Sequence, residues 1–179
     1  MTQKKGLSRG TPLWLAVTGM MTAMNIVLSM SVFSVPVPGG HLYFCDAVIN
    51  TAAILLDPMA AFIVGGVGSF LGDLLFYPAP MFVSLATHGL QALAVSLISH
   101  RARKKHPAVY SAAGTAVGAV IMVAGYTFGR AFVYATLETS LLKLPFECVQ
   151  AVFGAAVALI LCYPLRLKTL FAQMVQSAR

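Results

Sequence analysis

The chain has 179 residues, of which 59% are hydrophobic and only 9% are charged, and its mean hydropathy is +0.84. Because a water-soluble domain carries roughly 25% charged residues, this composition excludes an ordinary soluble fold, and no region of mixed composition is long enough for a catalytic or nucleotide-binding domain. The net charge of +7 does not indicate a nucleic-acid partner, because the basic residues lie in short clusters at the ends of apolar segments.

The apolar segments predict an all-α integral membrane protein with six transmembrane helices, since each segment approaches the roughly 20 residues that cross a bilayer. Predicted helix 1 covers about 12–33 and is a retained helix, because no small-residue cleavage site follows it. The segment SVPVPGGHLYF predicts a loop, since its prolines cannot continue a helix. A short predicted helix 2 at about 46–56 then ends at the turn Asp57-Pro58.

Predicted helices 3 and 4 cover about 59–76 and 80–99, with the break Tyr77-Pro78-Ala79-Pro80 between them. The basic loop RARKKHP leads to predicted helix 5 at about 108–130. The segment AFVYATLETSLLKLP is predicted to be an amphipathic connection, and predicted helix 6 follows at about 146–165. The sequence therefore predicts a single transmembrane domain over residues 1–179.

The lysines and arginines predict the orientation, because short cytoplasmic loops retain positive charge. Most of them fall on one side of the six-helix topology, namely Lys4, Lys5, Arg9, Arg101, Arg103, Lys104, Lys105, Arg166, Lys168 and Arg179. Both termini are therefore predicted to be cytoplasmic. The acids Asp46, Asp73, Glu138 and Glu147 lie in or near the opposite, outer half, which is predicted to be the polar working end.

Ionisable and polar residues inside a membrane need a structural or functional reason. In predicted helix 3, Ala61, Gly65, Ser69 and Asp73 recur every four residues and share a face. That face can pack closely against a neighbouring helix and deliver the Asp73 carboxylate into the bundle. The alternative is an interfacial acid paired with a lysine or arginine.

Predicted helix 4 carries His88 and Gln91 three residues apart on one face, about halfway across the bilayer. They predict a pocket wall, with hydrogen bonding between helices as the alternative.

The ends of predicted helices 5 and 6 meet at the outer surface in this topology. Tyr126 and Arg130 share a face at i and i+4, and Glu147 and Gln150 share one at i and i+3. These groups predict a ligand pocket, unless Arg130 and Glu147 form only a structural ion pair. The loop with His41, Tyr43 and Phe44 is a candidate lid, or alternatively part of an interfacial aromatic belt.

Small residues form a stripe on predicted helix 1, at Ala16, Gly19, Met20 and Ala23. Gly19 and Ala23 have the spacing of a GxxxG motif. Such a stripe suits close packing against another helix, either of this chain or of a partner.

The cysteines, Cys45, Cys148 and Cys162, have no CxxC or metal-ligand spacing, so neither a metal site nor a cofactor is predicted. A disulfide between Cys45 and Cys148 is left open. The sequence also has no HExxH, GxSxG or Walker lysine motif, and the chain is therefore not predicted to be an enzyme.

The run GGHLYFCDAVINTAAILLDPMAAFIVGGVGSFLGDLL, followed by PAPMFVSLATHGLQAL, resembles the substrate-binding S components of energy-coupling factor (ECF) vitamin transporters. The resemblance covers predicted helices 1 to 4 best. It is greatest to the branch associated with hydroxymethylpyrimidine or pyridoxine uptake, through residues 40–43, Asp46, 55–58, 65–75 and 87–91. Two positions depart from that pattern, since Asp57 replaces a usual glycine and His88 stands where lysine is common.

The resemblance implies a subunit of the bacterial plasma membrane that captures a small vitamin at the outer face. It implies docking through the helix 1 stripe on an ECF transmembrane coupling protein driven by two ATPase subunits, and release inside after the subunit topples. The residues expected to bind the vitamin are Tyr43, Asp46, Asp73, His88, Gln91, Tyr126, Arg130, Glu147 and Gln150. The rival hypotheses are a non-transporting membrane scaffold protein of the cell envelope and a self-contained transporter or channel.

Overall fold

The computed structural model describes residues 7–101 and 106–177. Its helices are α1 (Pro12–Leu28), α2 (Cys45–Leu55), α3 (Pro58–Phe76), α4 (Met81–Arg101), α5 (Pro107–Tyr134), α6 (Leu137–Cys162) and α7 (Leu167–Ser177). Between α1 and α2 lie a 3-10 turn (Ser31–Phe33) and an antiparallel hairpin of β1 (Val35–Val37) and β2 (Gly40–Leu42). The described chain is therefore mostly helical, as the composition predicts.

Four helices, α3 to α6, are long and apolar enough to cross a membrane, and the chain is a multi-pass membrane protein. The other two apolar helices are shorter, with 17 residues in α1 and 11 in α2. At about 1.5 Å per residue, α2 extends roughly 16 Å, about half of the ~30 Å hydrocarbon layer. That α1 and α2 also span the membrane stays a prediction.

The helix starts follow from capping residues that satisfy free backbone N–H groups. The hydroxyl of Thr11 accepts from the Trp14 N–H at the start of α1. The carboxylate of Asp57 caps α3 by accepting from Met59 N–H at 3.1 Å. At the start of α6, Thr136 forms a capping box with the residue three positions later.

Two predicted boundaries are wrong. Predicted helix 1 extends to about residue 33, but α1 ends at Leu28 and the chain turns into the hairpin. The segment predicted as a connection before helix 6 is almost wholly helical, because α5 continues through a π-helical turn (Arg130–Tyr134) and α6 begins at Leu137. Pro145, which suggests a helix start, lies inside α6 instead, because Thr136 already provides the N-cap.

The central helix of the bundle is α2, which contacts α1, α3, α4 and α6. All of its residues except Leu55 are buried. Its close approach to α6 depends on Gly154, because a Cβ at that position would lie only 2.4 Å from the Asp46 Cβ. This packing holds the first turn of α2 firmly inside the bundle.

The connections divide between two ends of the bundle. At the end opposite the hairpin, Asp57 accepts hydrogen bonds from Arg9 Nε (2.6 Å) and Trp14 Nε1 (2.5 Å). Burial raises the pKa of Asp57, but these hydrogen bonds outweigh it and hold the pKa below its usual range. At the same end, the Tyr163 hydroxyl donates to the Pro107 carbonyl at 2.7 Å.

Several predicted cytoplasmic anchors, Arg9, Arg101, Arg166 and Lys168, belong to the described residues. The others, Lys4, Lys5, Arg103, Lys104, Lys105 and Arg179, lie outside them. The cytoplasmic placement of both termini stays a prediction.

Candidate functional site

A cavity of about 330 Å³ lies at the hairpin end of the bundle. Its volume is at the lower limit of the roughly 300–1,000 Å³ typical of small-molecule sites. The lining comes from α1, the hairpin, α2 to α6 and the α3–α4 connection, and consists of Ser29, Gly39, Gly40, His41, Tyr43, Cys45, Ser69, Asp73, Phe76, Tyr77, Pro80, His88, Met122, Tyr126, Arg130, Tyr134, Lys143, Glu147 and Gln150.

A hydrogen-bond network around the buried carboxylate of Asp46 supports the cavity lining from behind. Gln91 Nε2 donates to Asp46 Oδ1 at 2.9 Å, and Gln150 Nε2 donates to Oδ2 at 2.7 Å. The backbone N–H of Tyr43 donates to Gln150 Oε1 at 2.9 Å. The network therefore joins the end of the hairpin to α2, α4 and α6, and a change in one member disturbs the others.

The same network orients His88. Because Gln91 uses its amide N–H on Asp46, its Oε1 accepts from His88 Nδ1, which is 2.7 Å away. The neutral imidazole then presents Nε2 as an acceptor, and this atom has no hydrogen-bond partner among residues 7–101 and 106–177. The ring lies 5.2 Å from the Tyr126 ring, in an edge-to-face arrangement. His88 thus supplies an oriented hydrogen-bond acceptor to the cavity wall.

A second chain of hydrogen bonds fixes another part of the cavity wall, next to His88. The Ser84 hydroxyl donates to the Asp73 carboxylate, and the Tyr126 hydroxyl lies 2.6 Å from the same serine oxygen. Because Ser84 uses its proton on Asp73, Tyr126 donates to Ser84. Asp73 keeps further acceptor capacity that a ligand can use.

The hairpin is attached to the cavity by Arg130. Its Nη2 donates to Glu147 Oε1 at 2.9 Å, and its Nη1 donates to the Gly39 carbonyl at 3.1 Å. Gly39 has a φ of +81°, which favours glycine, and a Cβ there would lie 3.1 Å from the Lys143 Cβ. Burial raises the pKa of Tyr43, at the end of the hairpin, to about 12, so its hydroxyl stays protonated. The hairpin therefore covers one side of the cavity, as a lid would.

Most of the residues predicted to bind the ligand line this cavity, namely Tyr43, Asp73, His88, Tyr126, Arg130, Glu147 and Gln150. Asp46 and Gln91 do not line it and lie in the supporting network. The prediction missed Lys143, which lines the cavity from α6. Its spacing from Glu147 and Gln150, at i, i+4 and i+7, places all three on one helix face, but the segment was predicted to be a connection.

The predicted docking stripe faces away from the rest of the described chain. Its members, Ala16, Gly19, Met20 and Ala23, are exposed, and no atom lies within 4 Å of a Cβ built at Gly19. The opposite face of α1 is buried through Trp14, Val17, Thr18 and Asn25. The stripe therefore does not pack inside the described chain and is free for a partner.

One group has the composition of a metal site. Cys45, Asp46 and His88 offer ligand atoms within 4.8 Å of one another. However, both Asp46 oxygens and His88 Nδ1 are already bonded to the amides of Gln91 and Gln150, so hydrogen bonding accounts for the cluster. All three cysteines are free, and the disulfide left open between Cys45 and Cys148 is not formed.

Comparison with known proteins shows which family the sequence matches. The family described as ECF-type riboflavin transporter, S component, matches residues 12–167. An uncharacterized protein in the gap 3' region of Pyrococcus woesei is 28% identical over 132 residues, which cover 74% of this chain and 86% of that protein. The family match begins with α1 and ends at the start of α7, so it includes every residue that lines the cavity.

Proposed function

Since the chain belongs to the family of ECF-type riboflavin transporter S components, which are vitamin-binding transport subunits and not enzymes, we propose that its vitamin binds in the hairpin-end cavity. The observation that carries this proposal is the convergence of polar side chains from four helices and the hairpin on one cavity of about 330 Å³. A site of this volume suits a small heterocycle and is too small for a macromolecule.

The lining suggests how such a heterocycle is held. The rings of Tyr126 and Tyr134 provide aromatic surface, His88 Nε2 and the Asp73 carboxylate accept hydrogen bonds, and Arg130 donates them. Riboflavin is the first candidate because the matched family is described by it. Pyridoxine or hydroxymethylpyrimidine is the second candidate, because residues 40–43, Asp46, 55–58, 65–75 and 87–91 resemble that branch. The family match does not confirm that branch.

The proposed transport cycle needs partners that supply energy. The sequence has no Walker lysine motif, and the exposed stripe on α1 provides a smooth face for an ECF transmembrane coupling protein with two ATPase subunits. The distribution of basic residues supports a bacterial plasma-membrane subunit whose cavity faces outward. The family match does not favour the cell-envelope scaffold.

His88→Ala is expected to weaken vitamin binding about tenfold. The change removes the acceptor that Nε2 offers to the vitamin, and it leaves Gln91 Oε1 without its hydrogen bond from Nδ1. The dissociation constant is measured by isothermal titration calorimetry of the detergent-purified protein with riboflavin, pyridoxine and hydroxymethylpyrimidine. His106→Ala is the matched control, since His106 is exposed at the start of α5. Equal affinity of the two variants for the vitamin would show that His88 does not contribute to the binding site.

A further inference from the structure

Lys143 is a buried cation that forms no ion pair with any of the described residues. It is only 7% exposed and lines the cavity. The ion pairs found among residues 7–101 and 106–177 join Arg9 to Asp57 and Arg130 to Glu147, and neither includes Lys143. The aromatic face of Tyr43 lies 5.9 Å from its Nζ atom, which compensates only part of the cost of burying an ammonium group.

The carboxylates that line this cavity, Glu147 and Asp73, form their contacts with other groups. Arg130 is also buried, and the one carboxylate that it contacts, Glu147, is paired with its Nη2. The Nε donor of Arg130 is also buried and has no hydrogen-bond partner among the described residues. Asp73 lines the same cavity but forms no ion pair within the described segments and bonds to Ser84. Among the described residues, therefore, no carboxylate lies within ion-pair distance of the Lys143 ammonium group.

The hairpin turn is shaped around the lysine. A Cβ on Gly40 would lie 3.5 Å from Lys143 Nζ, and a Cβ on Gly39 would lie 3.1 Å from Lys143 Cβ. Both glycines have φ values, +149° and +81°, that disfavour other residues. The turn thus covers the side chain and keeps the ammonium group at the cavity.

From this geometry, and resting on the proposed function, we infer that the captured ligand is a derivative of such a vitamin that carries a carboxylate or phosphate group, and that this group pairs with Lys143 under the hairpin. The heterocyclic part of the ligand then lies toward His88 and Asp73. An ammonium group pairs with either anion as a point charge. The anionic group would supply the neutralising charge that the described chain lacks beside Lys143.

The test uses pairs of ligands that differ in an anionic group. Riboflavin is compared with riboflavin 5'-phosphate, and pyridoxine with pyridoxine 5'-phosphate and with 4-pyridoxic acid, which carries a carboxylate. In at least one pair, the anionic member is expected to bind the wild type at least about tenfold more tightly. Lys143→Met should reduce that ratio to about one, whereas Lys143→Arg should retain it.

Lys168→Met is the matched control, because Lys168 lies at the opposite end beside Tyr163, and it should leave the ratio unchanged. Lys143→Gln provides the same comparison if the methionine variant does not fold. The inference is overturned, while the proposed function stands, if only neutral members bind, or if removal of the Lys143 ammonium leaves the ratio unchanged. If no member of any pair binds, the result contradicts both this inference and the proposed function.

Discussion

Replacing Gly19 with leucine is expected to reduce vitamin uptake by at least about tenfold while vitamin binding stays at the wild-type level. Gly19 is exposed, and a Cβ there meets no atom of residues 7–101 and 106–177 within 4 Å, so the larger side chain fits without disturbing α1 or the cavity. Close contact between small-residue faces, however, excludes a leucine. Uptake is measured in liposomes that contain the coupling protein and both ATPases, and binding is measured in detergent.

Ala113→Leu is the matched control for this substitution, because Ala113 is a small, exposed residue on a different helix, α5. It should leave both binding and uptake unchanged. Normal uptake by the Gly19→Leu variant would show that the stripe is not the docking surface. Loss of uptake in both variants would show that any added apolar bulk on the exposed surface blocks transport.

Replacing Glu147 with glutamine is expected to lower the Tm by about 10 °C. The change leaves the Arg130 guanidinium buried without its carboxylate partner, which lies 2.9 Å away. Breaking a buried ion pair costs about 3–5 kcal/mol, and each kcal/mol shifts the Tm by roughly 2–4 °C in a chain of this length. Thermal unfolding of the detergent-purified variant, followed by tryptophan fluorescence, measures the shift.

Two further variants separate stability from binding. Glu138→Gln, at an exposed position of the same helix, should leave the Tm within about 2 °C of the wild type. The double variant Arg130→Met with Glu147→Met should recover most of the Tm, because apolar replacements remove both charges. It should still bind vitamin poorly, since the Nη1 bond to the Gly39 carbonyl is lost. A wild-type Tm for Glu147→Gln would contradict the structural role of the pair.

Local spacing predicted the parts of the site that lie within single helices. Tyr126 with Arg130, and Glu147 with Gln150, share helix faces in the sequence and line one cavity in the structure. The spacing could not show that Gln150 bonds to Asp46, which is 104 residues away along the chain. That contact depends on how closely α2 and α6 pack, and therefore on tertiary structure.

The π-helical turn of α3 (Ile63–Val67) was also beyond prediction. A spacing of four residues drifts around an ordinary α-helix, which has about 3.6 residues per turn, and a wider π turn offsets this drift. The turn is held from another helix, because Asn25 Nδ2 donates to the Val64 carbonyl at 2.6 Å. As a result, Ser69 and Asp73 both reach the cavity.

Lys143 shows how a single boundary error hides a site residue. Pro145 favours a helix start in the sequence, and a start there places Lys143 in a connection. In the structure, the Thr136 cap starts α6 earlier, and Lys143 then lies one helical turn before Glu147. The sequence contains two signals for the start of this helix, Pro145 and the capping box at Thr136, and the structure follows the capping box.

The central claim is that this transport subunit holds one vitamin molecule in the hairpin-end cavity, and native mass spectrometry of the detergent-purified chain tests it most directly. We predict one bound small molecule per chain, either carried through purification or added as riboflavin, pyridoxine or hydroxymethylpyrimidine, with reduced occupancy in the His88→Ala variant. A wild-type chain that stays without a bound molecule after incubation with all three vitamins and with their anionic derivatives would contradict the claim.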